Sequence, residues 1–204
     1  TIFIILGLLL LLIFILVLAF QKEVLVFQSD EVLPTEKSKI TRLITNCIDK
    51  VGDDAMFKIG LQGGYIEVPE SISRSVNRNV RISPMNVVPY WAYGETKDVP
   101  TLQEIKIRID NYVEENLRDC LFNLEPFKTS YDFVEKSKIS VNTEIVESKV
   151  IFNVNWNLEI STKDGGVIAE INDYVTESPI KLKRVYDLAN TILDKEMIEL
   201  KLED

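Results

Sequence analysis

Histidine is absent from the 204 residues of this chain. Since histidine is the commonest general base near neutral pH and the commonest metal ligand, its absence excludes Ser-His and Cys-His catalytic arrangements. The glycines of Gly60–Gly64 follow a helical pattern and precede an extended one, the reverse of the order that a phosphate-binding loop requires. We therefore expect no enzyme, no catalytic residue, no cofactor and no bound metal.

Charge is absent from the first twenty residues, TIFIILGLLLLLIFILVLAF. At about 1.5 Å per residue this segment would form a helix about 30 Å long, the thickness of a bilayer's hydrocarbon core. We predict a hydrophobic helix over residues 1–28 that serves as a membrane anchor or as the core of a filament. The side chains expected to make those contacts are Ile2, Phe3, Ile5, Leu8, Leu9, Leu12, Ile13, Ile15, Leu16 and Phe20.

The bare start TIFIILG, followed by an unbroken apolar segment and then a polar domain, resembles mature type IV pilin-like proteins, especially archaeal ones. Unlike many bacterial members of that family, the chain has no acidic residue before Glu23. The resemblance implies that a peptidase removes a short basic leader and that the subunit first rests in the membrane. Copies of the subunit would then pack through their apolar helices into a filament on the cell surface.

A second interpretation of the same segment is a plain single-pass anchor that keeps a binding domain outside the cytoplasm. The first charged residue is Lys22, whereas an ordinary anchor keeps lysine or arginine on its cytoplasmic side. A leader cut off ahead of Thr1 explains this start, and so does a recorded chain that omits its first residues. A retained basic leader would favour the anchor.

Basic residues are outnumbered in the remainder of the chain, residues 29–204, which we expect to be one extracytoplasmic head domain. The chain has 23 lysines and arginines against 32 acidic residues, a net charge of −9. An acidic domain of this kind is a poor partner for nucleic acid. The partners that the resemblance to pilin-like proteins implies are other copies of the chain, and the membrane before assembly; no small-molecule substrate is identified.

Only two cysteines occur, Cys47 and Cys120, each on the apolar face of a helical pattern. Outside the cytoplasm they are free to form one disulfide between two packed helices. Two buried free thiols are the alternative.

Helical periodicity follows Thr35, where apolar residues recur at steps of three and four up to Val51. Gly52 is expected to end this helix, with Asp53 or Asp54 capping a short second one, and Tyr65–Val68 to form a strand. Thr101 and Glu104 have the spacing of a capping box, which predicts a second amphipathic helix.

From Tyr131 the period of apolar residues changes to two, which is typical of half-buried antiparallel strands. Lys163–Gly166 is a hairpin-turn signal, and a last helix is expected after Pro179. The predicted fold class is α+β: a long N-terminal hydrophobic helix followed by a head domain with an antiparallel meander and amphipathic helices. The last helix is expected to direct inward Leu182, Val185, Tyr186, Ala189, Leu193 and Met197.

Three aromatic residues lie close together at Tyr90, Trp91 and Tyr93. Buried, they would be ordinary core; exposed, they would contact a neighbouring subunit or stack on a sugar ring. Asp53 and Asp54 are expected to cap a helix; with Glu67 or Glu70 they could instead offer oxygen ligands to a cation. Arg74, Arg78 and Arg81 are expected to lie in a solvated loop, the alternative being contact with an acidic patch on a neighbouring subunit.

Overall fold

The computed structural model describes residues 35–83 and 86–199. The chain divides into two units, Thr1–Ser38 and Lys39–Asp204. Apart from the start of the first helix at residues 35–38, all the described residues belong to the second unit. The predicted filament-core side chains, from Ile2 to Phe20, lie outside the described residues.

Four α-helices and eight strands make up the described part of the chain, with a 3₁₀ turn at Phe122–Phe127. The helices are α1 (Thr35–Leu61), α2 (Glu70–Ser73), α3 (Leu102–Cys120) and α4 (Leu182–Glu199). The strands are β1 (Asn79–Ser83), β2 (Asn86–Pro89), β3 (Ala92–Tyr93), β4 (Thr96–Lys97), β5 (Tyr131–Glu135), β6 (Ser140–Ile145), β7 (Val150–Thr162) and β8 (Val167–Ser178).

The predicted fold class is wrong as a whole, because it began with a long apolar helix. Across residues 35–83 and 86–199, no helix is both long and apolar enough to cross a membrane. The segment to which that helix was assigned, residues 1–28, lies outside the described residues. What the structure has is a mixture of helices and antiparallel strands.

The main sheet is organised around β7. Strand β8 pairs with one edge of β7, while β6 and β5 pair in turn with the other edge, all antiparallel. The period-two pattern is confirmed, since the even-numbered side chains of β7 from 150 to 160 are all buried: Val150, Phe152, Val154, Trp156, Leu158 and Ile160. The predicted hairpin turn joins β7 to β8, and Gly165 there has a φ of 87° that favours glycine.

Helices α1 and α3 pack on the buried face of this sheet and run antiparallel to each other. Cys120 at the end of α3 meets Cys47 in the first half of α1, while Arg108 nearer the start of α3 donates to the carbonyl of Gly64 just beyond α1 (2.9 Å). The side chains of α3 that face the core recur at steps of four: Ile105, Ile109, Val113 and Leu117.

The predicted end of the first helix at Gly52 is wrong, because α1 continues to Leu61. A Cβ atom at Gly52 would lie 2.7 Å from the ring of Phe152 on β7. Glycine is thus required here by a close helix–sheet approach rather than by a helix end. The flanking Asp53 is consequently inside the helix and does not cap a second one.

The strand predicted at Tyr65–Val68 is also absent, and the segment is an irregular connection. It follows a turn in which Gly63 and Gly64 have φ values of 58° and 96°. The guanidinium of Arg108 lies 4.2 Å from the centre of the Tyr65 ring, and Tyr65 is buried. The tyrosine is therefore held by a helix that lies far away in sequence, which the local pattern did not encode.

The capping box at the start of α3 is confirmed. The Glu104 amide donates to the Thr101 hydroxyl (3.2 Å) and the Thr101 amide donates to the Glu104 carboxylate (2.7 Å). The Thr101 backbone and side-chain hydrogen bonds lower the pKa of Glu104. Both groups satisfy amides that a helix start leaves without intrahelical partners.

The chain leaves α3 through a left-handed turn. Phe122, Asn123 and Leu124 have φ values of 50°, 52° and 59°, a region that costs non-glycine residues about 1–2 kcal/mol each. The turn buries Leu124 in the core and leaves Phe122 exposed.

Candidate subunit-contact surface

Two of the three predicted aromatic residues are exposed and line an open cleft. Tyr90 and Tyr93 are 45% and 55% exposed, and they share the cleft with Arg78, Thr96 and Asp98. We call this group the aromatic cleft. Tyrosine combines a large apolar ring with a polar tip, so exposed tyrosines are favourable anchors for a partner.

Trp91 has a different role from its neighbours. Its indole Nε1 donates to the carbonyl oxygen of Gly63 (2.8 Å), and its ring packs against that of Tyr186 with centroids 5.8 Å apart. Trp91 thereby ties the β3–β4 region to the end of α1 and to α4. The predicted cluster is thus divided between two exposed tyrosines and one structural tryptophan.

The cleft is shaped by two hydrogen bonds that Arg78 makes with residues later in the chain. Arg78 donates to the carboxylate of Asp98 (2.6 Å), and the Tyr90 amide donates to the carbonyl of Arg78 (2.9 Å). Both side chains of this ion pair are about half exposed, so it contributes little stability. Its effect is to present a planar cation and a carboxylate beside two aromatic rings.

Helix α4 adjoins the strand that carries part of the cleft. Lys97 of β4 donates to Asp194 of α4 (2.5 Å), and Leu182 and Tyr186 of α4 pack against the core. The prediction that Val185 faces inward is wrong, because its side chain is 63% exposed. Val185 belongs instead to an outer apolar stripe with Leu188 and Ile192.

The outer face of the main sheet is hydrophilic by contrast. Three asparagines of β7 each donate to a carboxylate on a neighbouring strand, at 3.0, 2.8 and 2.9 Å. The pairs are Asn153 with Glu144, Asn155 with Asp173, and Asn157 with Glu170. This face therefore presents polar side chains that hydrogen-bond to one another, and such a surface is suited to contact with water.

The three arginines predicted to meet an acidic neighbour all have partners within the chain. Arg74 donates to Glu70 (3.0 Å), Arg81 to the carbonyl of Ser73 (2.8 Å), and Arg78 to Asp98. Their charges thus organise the loop that carries α2 and β1.

The acidic pair after Gly52 binds side chains of the head itself. Asp53 accepts from the Ser178 hydroxyl (2.9 Å), and Asp54 accepts from the hydroxyl of Tyr112. Burial, and secondly the hydrogen bond to Asp54, raise the pKa of Tyr112 to about 12, so the phenol remains a donor. Within the described ranges, no group of three acidic or cysteine side chains is placed to hold a metal ion.

Cys47 and Cys120 are joined by a disulfide, with their Cα atoms 5.7 Å apart. Of the two arrangements left open by the sequence, the structure has the bridge. Cys47 is buried within the core between α1 and α3. The bridge fixes the end of α3 immediately before the left-handed turn.

Comparison with known proteins returns no relative. No family model matches the chain, and no curated protein or solved structure shows significant similarity to it.

Sequence reasoning missed the outer stripe of α4. Its signal is present, since Val185, Leu188 and Ile192 recur at steps of three and four. The same helix carries a second apolar row containing Leu182, Tyr186 and Leu193, and periodicity alone assigns only one row to a core. Contacts with Trp91 and Lys97 decide which row faces inward.

Proposed function

We propose that this protein is a structural subunit of a pilus-like filament on the cell surface, held together by packing of residues 1–20 from neighbouring copies. The observation that carries the proposal is an uncharged run of twenty residues ahead of an acidic head. The disulfide between Cys47 and Cys120 supports a location outside the reducing cytoplasm.

Assembly of this kind has a simple physical basis. Moving an apolar segment from lipid into a bundle of similar segments changes its free energy little, because both surroundings are apolar. Water is excluded from the segment both in lipid and in the bundle. The hydrophobic effect therefore keeps the segment out of water but does not determine how subunits are arranged in a filament. Order must then come from side-chain packing and from contacts between heads.

The aromatic cleft is the best candidate for a contact between heads. Tyr90 and Tyr93 offer exposed ring surface, while Arg78 and Asp98 offer a donor and an acceptor next to it. The asparagine-rich outer face of the sheet would remain in contact with solvent.

The experiment is to place two charges in the apolar run, Leu10→Asp and Ile13→Lys, and to image sheared cell-surface material by electron microscopy. Filaments are expected from the natural chain and from a control carrying Val175→Asp on the exposed side of β8. They are expected to be lost from the doubly charged variant, because ionised groups are costly in an apolar bundle. Filaments at normal yield from that variant would contradict the proposal.

A second candidate function is an anchored domain that binds a ligand outside the cytoplasm without polymerising. The aromatic cleft favours this alternative as well, since two tyrosines beside an arginine and a carboxylate are suited to stack on and hydrogen-bond a sugar. The two functions differ in the state of the native protein. Single copies in the membrane fraction with a retained basic leader would favour the anchor, and sheared filaments would favour the pilus.

A further inference from the structure

The β6 edge of the main sheet is closed by helix α3. The Val141 amide donates to the carboxylate of Glu114 on α3 (2.8 Å). The Thr143 amide donates to Asp110 (2.7 Å), which is buried and also accepts from Lys106 (2.8 Å). An uncovered strand edge is a template for pairing with another chain, and these carboxylates remove that template from β6.

The free edge of β8 is not covered in this way. Because the Val141 amide points away from β7, its partner Val154 directs its backbone groups to Tyr174 of β8. Asp173 and Val175, on either side of Tyr174, therefore direct their backbone groups away from β7. Among the described strands, none pairs with this edge of β8, which is 12 residues long.

The open edge of β8 is acidic. The strand contains Glu170, Asp173 and Glu177 and no basic residue. Glu177 pairs with Lys149, but Glu170 and Asp173 accept from neutral asparagine amides and have no ion-pair partner among the described residues. Like charges disfavour pairing with a second β8, whereas a strand that carries a basic residue is favoured. Val175→Asp would add to this charge and leave the edge backbone in place.

Strand β1 has the complementary properties. Of the described strands with four or more residues, it alone has a basic residue and no acidic one. It pairs only with β2 in a two-stranded sheet, and residues 80–83 are all exposed, with Ile82 at 69%. Arg81 donates to the carbonyl of Ser73, a neutral group, so its charge has no ion-pair partner among the described residues.

We propose that β1 of one copy adds to the open edge of β8 in a neighbouring copy. Main-chain hydrogen bonds join the two strands, and Arg81 lies against the uncompensated carboxylates of Glu170 and Asp173. The aromatic cleft lies next to this contact, because the Tyr90 amide, just after β2, donates to the carbonyl of Arg78, just before β1.

The contact uses two different surfaces, so each copy binds one neighbour through β1 and another through β8. Head-to-tail contacts of this kind continue as an open array unless they close into a ring. A strand of five residues buries less than the area of about 1,000 Å² that a stable interface between free proteins requires. The contact therefore depends on copies held together by residues 1–20, and in this respect the inference rests on the proposed function.

The test places two full chains with different epitope tags in the same cell membranes, one with Ile82→Cys and the other with Val175→Cys. A short bismaleimide links free thiols without oxidation, so the bridge between Cys47 and Cys120 stays intact. We expect at least about fivefold more mixed dimer than like dimer of either chain. A random ratio of the three dimers, or an excess of the Val175→Cys like dimer, would overturn the proposal.

The matched control replaces Ile82→Cys by Ile107→Cys, on the outer side of α3. Ile107 is 47% exposed but lies outside β1, so the mixed dimer should fall to the level of the like dimers. A mixed yield equal to that of Ile82→Cys would show that cross-linking reports crowding in the membrane, and the proposal would fail.

Charge recognition is tested in the same pair of chains. Arg81→Glu should lower the yield of mixed dimer severalfold, whereas Arg81→Lys should retain it. Adding Glu170→Lys and Asp173→Lys to the partner chain should restore the yield with Arg81→Glu, because both sides of the contact are then reversed. A combination no better than Arg81→Glu alone would contradict pairing of β1 with β8.

Proline distinguishes strand addition from contact between side chains. Glu177 lies two residues after Val175 and also directs its amide away from β7, so Glu177→Pro removes a donor from the open edge and leaves the β7–β8 ladder intact. The yield of mixed dimer should fall at least about fivefold below that of Glu177→Ala. Equal yields would refute strand addition. Folding is checked in each variant by protection of the native disulfide from reduction.

Failure of this inference and failure of the filament proposal give different results. Mixed dimers in membranes without any filament would leave the contact between β1 and β8 in place and remove the filament. Filaments from chains that give the random ratio of dimers would leave the filament and remove this contact.

Discussion

Helices α3 and α4 are of nearly equal length, 19 and 18 residues, and both are amphipathic, but they are stabilised in different ways. Helix α3 begins with a complete capping box, has Glu104 in its first turn and Arg118 in its last, and buries one continuous row of side chains. None of the side chains described in α4 from Leu182 to Ile198 is buried. Helix α3 thus satisfies its own ends and buries one face, whereas α4 has no acidic residue in its first turn, no basic residue in its last, and an exposed apolar row.

The disulfide gives the largest expected difference between the two helices, because it joins α3 to α1 and leaves α4 untouched. The bridge closes a loop with a sequence separation of 73, so replacing both cysteines by alanine should lower the free energy of unfolding by about 4 kcal/mol. Urea denaturation followed by circular dichroism measures this change. A loss below about 1 kcal/mol would show that helix packing alone holds the pair.

Burial of the core row of α3 gives the next effect. Ile109→Ala removes a side chain that is fully buried and should cost about 3 kcal/mol of unfolding free energy. Ile192→Ala on α4 and Ile107→Ala on the outer side of α3 remove side chains that are 48% and 47% exposed, and each should cost less than about 0.5 kcal/mol. Comparable costs at Ile109 and Ile192 would eliminate the distinction between the helices.

The capping box should contribute a smaller amount. Thr101→Ala removes the acceptor for the Glu104 amide and should lower the free energy of unfolding by about 1 kcal/mol. Thr191→Ala is the control, because Thr191 is an exposed residue in the middle of α4 and its hydroxyl does not cap a helix end. If both variants melt at the same temperature, the capping box is not a source of stability.

The smallest effect concerns pH at the end of α3. Hydrogen bonding to Arg118 lowers the pKa of Glu135, so this pair stabilises the head above the unfolded pKa of glutamate and is lost as pH falls through the folded pKa. Both side chains are roughly 40% exposed, and the effect should therefore stay below about 1 kcal/mol. Denaturant titrations of the natural chain and of Glu135→Gln should differ at neutral pH and converge in acid.

Local patterns predicted much of the head correctly. The alternation of β7, the turn before Val167 and the capping box of α3 depend on residues that are neighbours in sequence, so the sequence contains their full cause. The spacing of Cys47 and Cys120 on apolar faces likewise led to the correct pair. The exposed tyrosines were located, but the sequence left their burial undecided between core and contact.

The errors arose where a distant residue determines the local structure. Gly52 is a helix-ending signal taken alone, but its missing Cβ is what allows α1 to lie against Phe152. Tyr65 lies in a segment that is not a strand, and its ring is against the guanidinium of Arg108 on α3. Val185 has the periodicity of a core residue, yet Trp91 and Lys97 fix the other side of its helix against the head.

The sequence by itself determined the uncharged leading segment, the acidic head and the strands with period two, because hydrophobicity and charge are properties of the residues alone. Only the tertiary structure decided which of the two apolar rows on α4 faces the core, and which glycine is required by a close contact between a helix and the sheet. The reason is that the buried row and the glycine contact both depend on which surfaces of neighbouring elements pack together in the core. The periodicity of one element contains no information about the elements that pack against it.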